Sequence, residues 1–230
     1  MHAPLGIDSL DRVLGGGLAC GRLHELFAAD AADGPGAAGF AAMLARLALP
    51  PAAPLLWLRQ EETERGGRLS APGLAQIGID PARLVLLVLS DPVTLLRAAA
   101  DVVRCRPVGA AVIELWKQPR SLDLTASRRL AVAAEESGVT ALMLRVDAQP
   151  MPSAAHTRWQ VASAPSIALE AEAPGHPAFD ITLLRQRGRP DGGCWRVEWD
   201  REQARFGEAP LPGAVVPAAA GGSAAASLRA

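Results

Sequence analysis

Residues 84–116 read LVLLVLSDPVTLLRAAADVVRCRPVGAAVIELW. Leu84 to Leu89 is an unbroken apolar run, the pattern of a strand covered on both faces in a parallel sheet. Asp91 followed by Pro92 places an N-cap and a first-turn proline at the start of a helix that runs to about Cys105. Val93, Leu96, Ala100 and Val103 share one side of that helix. Val108 to Leu115 supplies the next apolar strand. The unit then repeats: Asp123 caps a helix that Gly138 ends, and Val139 to Val146 is another buried strand. Strands alternating with helices of this length specify βαβ units, hence an α/β fold with a mostly parallel sheet flanked by helices.

The pattern changes on either side of this stretch. Downstream, His156 to Ala162, Ile167 to Glu172, Phe179 to Arg187 and Cys194 to Trp199 read as strands without intervening helices. The turn Arg189-Pro190-Asp191-Gly192-Gly193 joins the last two as an antiparallel hairpin. From Pro210 the chain is Ala, Gly, Pro and Ser, too poor in bulky apolar groups to offset its ordering entropy. Upstream, Ile7 to Leu14 is a short helix with Asp8 as its N-cap, stopped by Gly15-Gly16-Gly17. Leu23 to Ala28 is a strand, Ala28 to Gly36 a loop, and Ala37 to Leu49 a helix closed by Pro50-Pro51. Leu55 to Leu58 is a second strand, followed by a polar connection to Pro72 and a short helix at Leu74 to Ile77. The expected organisation is an N-terminal arm (1–22), a core domain (23–205) and a disordered tail (206–230).

Composition removes several function classes. The 230 residues are 50% hydrophobic with a formal charge of −1, so no global basicity argues for nucleic acid. Cys20, Cys105 and Cys194 are widely spaced and odd in number, against both a disulfide framework and a zinc site, and a reducing cytosol is the expected compartment. The start, Met1-His2-Ala3-Pro4, lacks an export signal. No apolar run is long enough for a transmembrane helix. Lys117 is the only lysine among 23 basic side chains, a bias that fits a GC-rich genome.

The segment after the first strand has the placement of a phosphate-binding loop. That motif needs Gly-x-x-x-x-Gly-Lys-Ser/Thr, so that backbone N–H groups, a lysine and a magnesium-bound hydroxyl converge on phosphate. Here Gly34 and Gly39 keep the spacing, but Phe40 replaces the lysine and Ala41 the hydroxyl. Hydrogen bonds to charged groups contribute about 1.5–3 kcal/mol each. Losing both ligands therefore lowers triphosphate affinity by roughly two to four decades. No cofactor is expected.

Several motifs occur in one order. Leu5-Gly6-Ile7-Asp8-Ser9-Leu10-Asp11, Leu14-Gly15-Gly16-Gly17-Leu18 and Gly21-Arg22-Leu23-His24-Glu25 resemble the stretch that precedes the Walker A strand in the RecA/KaiC superfamily. Glu61 matches the catalytic carboxylate of RecA, and Glu114 stands at the Walker B acid. Glu114-Leu115-Trp116, residues 124–131 (LTASRRLA), 154–162 (AAHTRWQVA), 184–190 (LRQRGRP) and 195–200 (WRVEWD) resemble the ImuA family. The resemblance spans roughly 200 residues and implies a RecA-like core. It also implies a place in the bacterial damage-induced mutagenesis cassette. The partners it implies are an ImuB-like inactive Y-family polymerase relative and an error-prone replicative-type DNA polymerase, with single-stranded DNA and RecA as further candidates. The implied contact surfaces are the RecA-fold edge used for subunit packing and the C-terminal tail. With Phe40 and Ala41 in place, Glu61 and Glu114 read as vestigial acids.

Arginines gather at Arg59, Arg65 and Arg68; at Arg120, Arg128 and Arg129; and at Arg185, Arg187, Arg189 and Arg196. Arg158-Trp159 sets a cation beside an aromatic ring. In RecA-like proteins, loops at the C-terminal ends of the strands touch single-stranded DNA, so Arg158, Trp159, Arg185, Arg187 and Arg196 are the candidate DNA or partner contacts. Trp195 and Trp199 share a strand face and read as packing residues. The function expected is a non-catalytic RecA-like accessory protein in SOS mutagenesis that recruits or regulates a translesion polymerase. Two alternatives remain at this point: a divergent RecA-family ATPase using Arg22 or an arginine supplied in trans as phosphate ligand, and a cell-division inhibitor of the SulA type.

Overall fold

The computed structural model describes residues 1–61, 67–169, 173–189 and 192–209. Its centre is a run of parallel strands: β3 (Leu23–Ala28), β4 (Leu55–Gln60), β5 (Leu84–Leu89), β6 (Ala110–Trp116), β7 (Thr140–Val146) and β8 (Thr157–Ala164). Three antiparallel strands extend it: β9 (Ala178–Gln186), β10 (Cys194–Asp200) and β11 (Arg205–Glu208). Together they form one nine-stranded sheet in the order β11-β10-β9-β8-β3-β7-β6-β4-β5 among the described residues. The chain opens with β1 (His2–Ala3), α1 (Asp8–Leu14) and β2 (Leu18–Ala19), then adds α2 (Gly34–Ala48), α3 (Ala71–Gln76), α4 (Pro92–Arg104) and α5 (Leu124–Ser137).

Alternation along the buried strands divides the interior in two. Ala110 and Val112 of β6, and Leu142, Leu144 and Val146 of β7, face the side covered by α2. Ala111, Ile113 and Leu115, with Ala141 and Met143, face the side covered by α4 and α5. Two of the three expected N-caps are present: Asp91 accepts from the Val93 and Thr94 amides, and Asp123 from Ala126. Gly138 ends α5 in the left-handed region (φ 84°).

Several expectations are corrected. β5 is not covered on both faces but is the sheet edge, with Val85, Leu86 and Val88 exposed. Ile7, not Asp8, is the N-cap of α1, and Asp11 instead holds the entering chain through the Leu5 and Gly6 amides. Residues 167–169 are not in a strand, and the remainder of that expected strand, 170–172, lies outside the described residues. Residues 205–208 form β11 with Phe206 buried, so they belong to the core rather than to a tail, while 210–230 lie outside the described residues. The first 22 residues pack back on the core: Leu5, Ile7, Leu10, Leu14 and Leu18 join the same buried cluster as α2. The Phe206 amide donates to the Leu5 carbonyl (2.9 Å), tying the two ends of the core together. Gly6 sits at that crossing with φ 103°, where a Cβ would lie 2.6 Å from the Phe206 carbonyl oxygen. No helix among the described residues is long and apolar enough to cross a membrane.

Candidate functional site

A phosphate site in a RecA-like sheet would lie between the end of β3 and the start of the next helix. Here α2 begins at Gly34, three residues before the expected start, with Pro35 in its first turn. Residues 34–39 are therefore helical, and the Ala37 amide donates to the Asp33 carbonyl (2.8 Å) rather than facing outward. Neither Gly34 nor Gly39 has a positive φ. Gly36 sits close against the end of β8, where a Cβ would displace the Ser163 hydroxyl. Two carboxylates hold the turn before the helix. Asp30 accepts from the Ala32 and Asp33 amides (2.7 and 3.1 Å), and Asp33 accepts from the Ser163 amide (2.8 Å).

Phe40 is fully buried and packs beneath the antiparallel strands. Its ring lies 5.5 Å from that of Phe179 and 5.2 Å from that of Phe206, which in turn packs on Trp199 at 4.9 Å. Ala41 is equally buried. The positions of the motif lysine and hydroxyl thus belong to the core beneath the antiparallel strands.

Beside the start of α2, on the side of the helix away from Phe40, lies a cavity of about 320 Å³ walled by Ala31, Gly34 and Pro35 of that turn and by Ala38, Gly39 and Ala42. Trp57, Trp116, Met43 and Leu74 supply apolar wall, and Arg59, Arg68, Ser70 and Glu114 supply its polar part. Arg59 and Glu114 are direct neighbours across β4 and β6. Glu114 accepts from Arg59 (3.1 Å) and from Trp57 Nε1 (2.8 Å), with both charged side chains about 5% exposed or less. The acid at the Walker B position is therefore neutralised by a cation from the next strand. Glu61 is exposed and does not line the cavity. Arg68 lines it, and Arg65 lies outside the described residues.

The candidate contact residues separate into two groups. Arg158 and Trp159 are interior residues, which corrects their reading as a surface pair. Arg158 bonds to Glu25 (3.1 Å) and to Ser153 Oγ (2.9 Å), and Ser153 donates to the same carboxylate (2.7 Å). Trp159 Nε1 donates to Thr157 Oγ1 (2.7 Å), whose proton goes to His24 Nδ1 (2.7 Å). His24 Nε2 then donates to the Ala19 carbonyl (2.9 Å), which places the ring proton on Nε2. Full burial pushes the His24 pKa down to about 3, with His156 and Arg22 adding to the fall and the Ala19 bond opposing it.

Arg185 and Arg187 are exposed, and Arg196 is held by Asp180 through two bonds of 2.7 Å. Arg196 lies opposite Asp180 in the β9–β10 pair, not opposite Arg185 or Arg187. Arg185 and Arg187 sit where β3 and β8 begin, the opposite end of the sheet from the start of α2. They are therefore not at the C-terminal ends of the parallel strands, as the sequence suggests, because β9 runs antiparallel to β8 and returns its end to the other side. Arg22 lies at that same far end, paired with Glu135, so it does not approach the start of α2. The sequence pattern does not foretell the pairing of Arg59 and Trp57 with Glu114, or of Glu25 with Arg158. The signal available was position, since Arg59 and Glu114 each stand fifth in their strands.

No protein-family model matches the chain. It is 34% identical over 200 residues to "Protein ImuA" from two strains of Caulobacter vibrioides, a match that covers 81% of this chain and 72% of each relative. The chain belongs to the ImuA family. Its fold is similar to the crystal structure of the RadB recombinase, with a TM-score of 0.59, 17% identity and coverage of 90% of this chain and 100% of the other. The ImuA-family chain is thus RecA-like in architecture, with a mostly parallel sheet flanked by helices and antiparallel strands at its C-terminal side.

Proposed function

We propose that this ImuA-family chain is a non-catalytic accessory protein of DNA-damage-induced mutagenesis. It acts through contacts with an ImuB-like inactive Y-family polymerase relative and an error-prone replicative-type polymerase. The observation that carries this reading is the start of α2 at Gly34, which engages in helix the backbone that a nucleotide phosphate would need. Phe40 in the aromatic cluster and Glu114 on Arg59 support it from the lysine and acid positions. Isothermal titration with ATP and magnesium should give no heat at micromolar protein. Tight, saturable heat would overturn the reading.

The exposed edge of β5 supports partner contact at the sheet edge. Val85, Leu86 and Val88 project beside a row of backbone groups that no described strand pairs. Co-purification with the neighbouring cassette products is expected, and an isolated chain in every pull-down would count against it. Single-stranded DNA and RecA are proposed as further contacts. Arg185 and Arg187 are the exposed pair for DNA, so replacing both by Ala should weaken oligonucleotide binding at low salt and reduce its salt slope. Arg196→Ala should leave that binding unchanged.

A further inference from the structure

Helices α4 and α5 lie side by side on the face of the sheet opposite α2. Between them is a groove of about 470 Å³ floored by Val93, Leu96, Ala100 and Leu130. Past Arg104 and Arg129 it continues into a hollow of about 250 Å³ beside Val132 and Ala133. The apolar floor reaches the surface, with Val93 and Val132 43% and 47% exposed. Val93, Leu96 and Ala100 recur at helical spacing, so the floor forms a stripe along about two turns of α4.

The rim is cationic. Arg97, Arg104, Arg128 and Arg129 are all exposed along it, against the acids Asp101 and Glu136 and, near Arg97, Asp91. Arg104 meets Asp101 at 3.7 Å in an exposed pair that contributes little. Arg97, Arg128 and Arg129 make no ion pair among the described residues.

An apolar floor between two helices, with surplus cations along its sides, fits an occupant that is apolar on one face and acidic on its flanks. Nucleic acid fits less well, since the floor is aliphatic and no aromatic ring lines it for base stacking. A second copy joined by a twofold axis would bring the same arginines against each other. The chain's own residues 210–230 contain no acid and one arginine, Arg229, so they lack the matching charge. We propose that the α4–α5 groove docks an acidic amphipathic helix of a partner protein. The proposal goes beyond the polymerase-accessory reading, and its test requires no polymerase.

The test uses the full chain and a labelled peptide of about 18 residues, long enough for several helical turns. Leucines stand at i, i+3, i+4 and i+7, with glutamates on the flanks. A lysine-for-glutamate version and a single-stranded oligonucleotide serve as comparison probes. Anisotropy at low salt should show saturable binding of the glutamate peptide and none of the lysine peptide, with hydrogen-exchange protection confined to α4 and α5. The triple variant Arg97→Glu, Arg128→Glu, Arg129→Glu should weaken binding about tenfold or more, and so should Val132→Asp. These positions are exposed, so an unchanged far-UV spectrum confirms folding of both variants. No binding of the glutamate peptide, equal binding of both peptides, or affinity unchanged in the variants would overturn the proposal. Oligonucleotide binding through these arginines, with the peptide inert, would overturn it in favour of nucleic acid.

Discussion

Phe40 shows how one side chain separates a motif's spacing from its chemistry. Because its Cβ is aimed into the cluster of Phe179, Phe206 and Trp199, restoring the motif lysine would not restore a phosphate ligand. Phe40→Lys combined with Ala41→Thr should give no ATP heat by titration. It should also lower stability by about 3 kcal/mol or more in urea unfolding, from lost packing and a buried ammonium. Glu25 and Arg158 form the opposite kind of site, a buried ion pair with a shared serine. Truncating one partner leaves the other charged and enclosed, so Glu25→Ala should cost about 3–5 kcal/mol. Arg185→Ala should stay within roughly 0.5 kcal/mol of the parent. His24 adds acid sensitivity. Its folded pKa of about 3 lies below the unfolded value of 6.5, so the native state resists a proton that the unfolded chain accepts. Its contribution is complete above pH 6.5 and is lost as pH falls toward 3, about 2 kcal/mol by pH 5. Burial lowers the His156 pKa in the same direction. Urea midpoints at pH 7 and pH 5 should show the drop, and His24→Gln should flatten it.

At the scale of elements, α2, β5 and β11 depart from their sequence reading, each for a tertiary reason. α2 extends three residues because Asp30 and Asp33 hold its start and because Gly36 admits Ser163 beside it. β5 has the composition of an interior strand yet ends the sheet, since nothing local says how many neighbours a strand will have. β11 is short and sits at the margin of the low-complexity tail, but Phe206 completes the cluster over Phe40. Phe206→Ala should therefore destabilise by about 3–5 kcal/mol, as read by thermal or urea unfolding, where a tail residue would have no effect. The elements that were legible share strong local signals. Asp91 and Asp123 cap helices by bonds to residues two or three positions away, and Gly138 closes α5 with its own backbone.

Across the whole molecule, the two faces of the sheet divide the labour. The α2 face, sealed by residues 1–22 and by β9 to β11, holds the large aromatic side chains Phe40, Trp57, Trp159, Trp199 and Phe206. The α4–α5 face carries the groove and its arginines. Partner docking on that second face should leave the cavity beside Arg59 and Glu114 unaltered, a separation that hydrogen exchange on peptides from each face can check. The amino-acid sequence by itself determined the alternation of strands and helices, the hairpin near the C-terminus and the loss of a cation and a hydroxyl at positions 40 and 41. Those depend on residue type and on neighbours within a turn or two. Only the tertiary structure decided that Arg59 faces Glu114, that Arg158 is interior and that Arg187 lies at the far end of the sheet from the start of α2. Each of these follows from strand order and register, set by packing between segments dozens of residues apart that no local pattern encodes.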